Sequence, residues 1–177
     1  ADKQIPIVDG LYFGGGYPEL FAQQLSQNQS MIESIRFAGN QGTPIYAECG
    51  GLMYLSRAIK THQGESFSMV ELIPSKVEMH QKLQALGLVE VEFKETNCWG
   101  EKGSKFRGHQ FRYSALTLED NDISLNYLVK SRKSLQAEKE GYMVGENILA
   151  SYVHAHWSSN PMLAEKFVLA CSRRSRR

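Results

Sequence analysis

Short apolar runs that stop at glycine, each followed by apolar residues at helical spacing, set the rhythm of the first third of the chain. Ile5–Phe13 (IPIVDGLYF) ends in Gly14-Gly15-Gly16, which predicts a buried strand feeding a tight turn. Pro18-Glu19 then suits a helix N-terminus, with proline in the first turn and an acid near the positive end of the helix dipole. Leu20, Phe21 and Leu25, then Met31, Ile32 and Ile35, have helical spacing and predict two helices broken around Asn28. Pro44–Ala47 (PIYA) predicts a second short strand, and Leu52, Leu55, Ala58 and Ile59 a further helix after Gly50-Gly51. Strand, turn and helix repeated in this way predict an α/β domain with a parallel sheet.

The pattern changes in the second half. Leu88–Phe93 (LVEVEF) alternates, and Phe106–Leu116, Tyr127–Lys130 and Ile148–Val153 also read as extended. Asn160-Pro161 precedes a last helix with Leu163, Phe167, Val168 and Cys171 on one side. The expectation is one domain over residues 1–177: an α/β core, mainly parallel, with a strand-rich insertion.

Composition narrows the classes. A chain of 177 residues buries a core without staples, and 42% hydrophobic with 22% charged residues is ordinary for a globular protein. A net charge of +1 argues against a nucleic-acid footprint, and the basic run Ser172–Arg177 reads as a solvated helix end. Cys49, Cys98 and Cys171 form no CxxC pair or disulfide framework, which points to a reducing cytoplasm. No apolar stretch has the length of a membrane span, and the expectation from the sequence is a protein without a signal peptide.

Chemistry concentrates at Tyr46-Ala47-Glu48-Cys49-Gly50-Gly51. A strand ends, one reactive side chain sits on the turn, small residues follow and a helix begins, the layout of a nucleophile elbow. A helix N-terminus behind a thiol lowers its pKa and offers an N–H to a developing oxyanion. The competing reading is a buried structural cysteine. Val153-His154-Ala155-His156-Trp157 puts two histidines at i and i+2, so that one can serve Cys49 as base and the other can hold it. A metal pair and a packed histidine pair are the rival readings. No further ligands stand at metal spacing. Gly14–Gly16 lacks the Gly-Lys-Ser/Thr ending of a phosphate loop, and is either a flexible turn or a backbone that approaches a substrate oxygen. Phe106–Ser114 mixes aromatic, basic and imidazole groups, as an edge strand or an anionic-ligand surface would.

Four strings in order, DGLYFGGGYPELFA, PIYAECGGLMYL, RGHQFRYS and LASYVHAHWSSNP, resemble the glutamine amidotransferase domain of the cobyrinic acid a,c-diamide synthase family from Asp9 to Pro161. The resemblance implies a class I, triad-type glutaminase on a flavodoxin-like scaffold. Cys49 would attack the glutamine amide, His154 would raise its nucleophilicity and His156 would stand where most class I relatives carry a glutamate. Gly15 and Gly50 would supply the oxyanion N–H groups. Arg107, His109 and Arg112 are candidate acceptor-facing residues. The resemblance also implies an ATP-binding synthetase domain or subunit as partner. That partner would hold ATP and Mg²⁺ and carry the corrinoid acceptor; no cofactor or metal is expected in this chain. It further implies that the first strand, helix and second strand of the amidotransferase domain are missing. An N-terminally truncated sheet exposes an edge that invites a second copy, a homodimer, or leaves an inactive relative serving as a binding module. Gln110 and Arg112 depart from the glutamate and histidine usual in the family.

Overall fold

A computed structural model describes residues 2–119, 123–131 and 136–174. The last residues of the basic C-terminal run, 175–177, fall outside that set. The strands are β1 (Leu11–Phe13), β2 (Ile45–Glu48), β3 (Ser56–Lys60), β4 (Ser66–Ser68), β5 (Ile73–Met79), β6 (Ala85–Phe93), β7 (Lys105–Arg112), β8 (Ser114–Leu118), β9 (Ser124–Ser131), β10 (Glu138–Val144), β11 (Ile148–Ser151) and β12 (His154–Ala155). The helices are α1 (Ala22–Gln27), α2 (Gln29–Asn40), α3 (Gly50–Leu55) and α4 (Pro161–Arg174).

An eight-stranded sheet runs in the order β1-β2-β11-β10-β9-β6-β7-β12, and a four-stranded sheet in the order β4-β3-β5-β8. In the larger sheet β1, β2 and β11 pair in parallel, and every other neighbour is antiparallel. The α/β class is as the sequence predicts, while the strand-rich part outweighs the parallel part. Two residues separate β11 from β12, yet they are third and last in the strand order. The sheet must therefore curl on itself. Trp99, Phe93, Phe106, Tyr127, Val91 and Leu149 fill the inside of that curl. The other face of the parallel strands packs on the helices and the small sheet through Ile32, Ile35, Leu52, Leu55, Ile59 and Val77.

The β2 strand shows how the chain serves both cores. Side chains alternate along a strand. Ile45 and Ala47 join the helix-side core with Cys49, while Tyr46 joins the core inside the curl. Glu48 follows Tyr46 on that second face.

Several sequence expectations are sharpened or corrected. Asn28 does break the first helical stretch, and its side chain accepts from Met31 N–H as an N-cap should. Pro18–Phe21 is a 3₁₀ turn leading into α1. The Ile5–Phe13 run forms strand only at Leu11–Phe13, and Ile7 is fully exposed. As the end strand of its sheet, β1 pairs with β2 alone among the described residues. The helix after Cys49 stops at Leu55, and Ala58 and Ile59 lie in β3, which hydrogen-bonds to β4 and β5. Sheet pairing overrides the helical spacing there. On α4, Leu163 is buried whereas Val168 is exposed. Among the described residues, no helix is long and apolar enough to cross a membrane.

Candidate active site

The turn at Cys49 is a strained elbow. Its φ of 46° and ψ of −102° lie where residues other than glycine are rare. Two backbone bonds hold it there: Cys49 N–H donates to Ser151 O at 2.7 Å, and Met53 N–H donates to Cys49 O at 3.0 Å. Strain of this kind persists only where surrounding structure over-determines it, which favours a working position over a space-filling cysteine.

The elbow requires small neighbours, and the reason is visible atom by atom. A Cβ on Gly50 would stand 2.5 Å from Gly16 O, and one on Gly51 2.5 Å from Phe13 O. On Gly15 it would stand 2.2 Å from His154 Cε1. The Gly14–Gly16 loop is thus clamped between the elbow and the histidine, and only glycine permits backbone to approach so closely.

Sheet curling delivers His154. On β12 it sits opposite His109 of β7, and the two rings stack with centroids 4.6 Å apart and planes 7° from parallel. Cys49, His154, His109, Gly15, Glu19 and Arg112 are among the residues lining a cavity of about 410 Å³. Burial and the neighbouring His109 both hold the His154 imidazole below its usual pKa, so the ring is neutral and basic at physiological pH.

The thiol is not pre-ionised. Burial pushes Cys49 up to about 11, against the pull of the Gly50 N–H and the Arg112 charge. The sequence expectation of a pKa lowered by the helix behind it is therefore corrected: α3 has only six residues, and desolvation outweighs its N–H. The thiol donates to Phe111 O across 3.9 Å.

The other residues singled out from sequence fall in different places. His156 is exposed, and its Nε2 lies 3.2 Å from Ser158 Oγ. The carboxylate beside His154 is instead Glu48, whose Oε2 lies 3.9 Å from His154 Nδ1. Glu48 is visible in the sequence next to Cys49, but strand alternation gives no hint that β12 will reach it. Arg107 is exposed and outside the cavity lining, whereas His109 and Arg112 line it. The Arg112 guanidinium lies 4.5 Å over the Tyr152 ring, and its Nη1 donates to Ser114 O at 2.6 Å. Gln110 is buried on the face of β7 opposite His109. Among the described residues, no group of three or more His, Cys, Asp or Glu side chains could hold a metal ion.

An elbow cysteine, a neutral histidine and a backbone glycine loop meet at the end of parallel strands, an arrangement suited to nucleophilic chemistry on an α/β scaffold. Solved structures share the fold. A glutamine amidotransferase superimposes with a TM-score of 0.63 at 16% identity, covering 93% of this chain and 79% of that one. PurLQS from Thermotoga maritima superimposes at 0.66 and 12% identity, covering 97% and 82%. The CobB/CobQ-like glutamine amidotransferase domain model matches residues 1–162, and the chain belongs to that family. Cobyrinate a,c-diamide synthase of Leptospira interrogans is 55% identical over 175 residues, 98% of this chain and 38% of the relative. The enzyme of that name from Synechocystis is 40% identical over 169 residues, 94% of this chain and 34% of the relative. The chain thus spans little more than a third of these relatives' length.

Proposed function

We propose that this chain hydrolyses glutamine to glutamate and ammonia, and that the ammonia serves an ATP-dependent synthetase domain or subunit that amidates corrinoid carboxylates. The observation that carries the reading is the conjunction of the strained Cys49 elbow with His154 in one cavity, closed by glycines that tolerate no side chain. In this reading the Cys49 S–H proton passes to His154 as sulfur attacks the amide carbon. The protonated ring returns that proton to the leaving ammonia, and water then hydrolyses the thioester with His154 again as base. The N–H groups of Gly15 and Gly50 are the proposed oxyanion donors.

The charge pattern of the cavity supports an α-amino acid substrate. Glu19 lines it with Oε2 buried and lacking a hydrogen-bond partner, and Arg112 lines it with Nε in the same condition. Buried groups left in that state are costly. A substrate carrying both an ammonium and a carboxylate would satisfy the two together. Their place beside Cys49 favours a glutamine-binding role for Arg112 over an acceptor-facing one.

ATP and Mg²⁺ belong to the partner in this proposal, since the Gly14–Gly16 loop lacks the Gly-Lys-Ser/Thr ending of a phosphate loop. Nothing in the geometry or the family match favours an inactive binding module. The test is glutamate release from glutamine, alone and with a synthetase partner added. We expect activity that is abolished in Cys49→Ala and reduced at least 10²-fold in His154→Ala. Absence of release from the unaltered chain under both conditions would remove the reading.

A further inference from the structure

We infer that Glu48 is the positioning residue for His154: its carboxylate holds the ring and balances the charge that forms when the ring takes the Cys49 proton. The inference rests on the glutaminase reading, and it moves to Glu48 a role the sequence spacing assigned to His156.

Three contacts place Glu48 between the nucleophile strand and the histidine strand. It is the last residue of β2, next to Cys49, and is only 3% exposed. Its Oε1 accepts from Ala155 N–H at 2.9 Å, tying the end of β2 to β12. Its Oε2 accepts from Tyr12 O–H at 2.9 Å and faces His154 Nδ1 at 3.9 Å. Among the described residues no lysine or arginine pairs with Glu48, so His154 is the one cationic partner the fold offers it.

The geometry distinguishes the resting from the working state. At 3.9 Å the contact is too long for a hydrogen bond to a neutral ring. Such contacts tighten when the ring becomes charged. An N–H at Nδ1 facing Glu48 leaves Nε2 as the lone pair. When the Cys49 S–H bond breaks, its proton forms the Nε2–H bond, and the positive charge appears beside a buried carboxylate already anchored by two donors. His156 has no such arrangement, being exposed and engaged with Ser158. The groups facing the pair are Tyr12 from β1, Tyr46 from β2, His109 stacked behind His154, and Cys49 itself. Burial raises the Glu48 pKa, while the donations from Ala155 and Tyr12 favour its ionised form.

The test separates a positioning role from a merely structural one. Glu48→Gln is nearly isosteric, and Glu48→Asp keeps the charge while shortening the side chain. If Glu48 only fills space and accepts bonds, Gln is the milder change. If it balances His154, kcat falls on the order of 10²–10³-fold in Glu48→Gln with KM within about threefold, and Asp recovers part of the loss. A second readout needs no activity: the His154 imidazole signals in an NMR titration shift their midpoint to lower pH in Glu48→Gln, with thermal melts confirming folded protein. An unmoved His154 midpoint, or a midpoint that moves in His156→Ala and not in Glu48→Gln, overturns the inference even where glutamine hydrolysis stands. Absence of hydrolysis with a shifted midpoint sinks the glutaminase reading and leaves the coupling intact.

Discussion

Placing a buried, un-ionised thiol at the elbow has a measurable consequence. With the Cys49 pKa near 11 against an ordinary 9.0, the thiolate fraction at pH 7.5 is about 3 × 10⁻⁴ in place of about 3 × 10⁻². Alkylation by a small neutral reagent follows the thiolate, so iodoacetamide should modify Cys49 about 100-fold more slowly than an ordinary thiol. Its rate should keep rising tenfold per pH unit through pH 10. Peptide mapping by mass spectrometry in a Cys98→Ser/Cys171→Ser background isolates the signal. A glutamine analogue such as acivicin, whose C=N carbon takes the sulfur and loses chloride, should behave differently, because binding beside Cys49 lets His154 remove the thiol proton during attack. His154→Ala should slow acivicin and leave the iodoacetamide pH curve nearly unchanged. A plateau in alkylation reached below pH 8 would refute the reasoning, since it would mean a resting thiolate–imidazolium pair.

Other changes report on the scaffold and the pocket. Gly50→Ala pushes a Cβ to 2.5 Å from Gly16 O; calorimetry should show a loss of about 2 kcal/mol, about 6 °C in Tm for a chain of this size, with glutamine hydrolysis abolished. Glu140 is buried and accepts from Ser151 O–H at 2.5 Å, Tyr152 N–H at 2.5 Å and Gly141 N–H at 2.7 Å. Glu140→Ala orphans these donors, two of which, Ser151 and Tyr152, lie just before His154, and urea denaturation should register a loss above about 3 kcal/mol. Arg112→Gln should raise the KM for glutamine about 10-fold or more while lowering kcat far less, in steady-state glutamate release; an unchanged KM would detach Arg112 from substrate.

Much of the architecture is written locally. The Asn28 break, the glycine-bounded β2 and the Cys49 turn rest on neighbours a few residues away, because capping, tight turns and alternation are short-range effects. Tyr46-Ala47-Glu48-Cys49-Gly50-Gly51 therefore carries the layout of an elbow within six residues. The extent of β1 and the end of α3 were not legible, since Ile7 and Ala58 have the hydrophobicity for either state and sheet pairing decides between them.

For the site itself, the sequence alone singled out the candidates: Cys49 on a tight turn, His154 and His156 two residues apart, and the glycines of Gly14–Gly16 and Gly50-Gly51. Only the tertiary structure decided what each of them faces. Curling of the larger sheet brings β12 back to the end of β2, so His154 meets Glu48 and His109, which lie far away in the chain, while its near neighbour His156 turns out to Ser158. Desolvation in that enclosure, not the helix dipole, sets the state of the thiol. A strand's two-residue period says which side chains share a face; it says nothing of what another strand, a hundred residues away, will lay against that face.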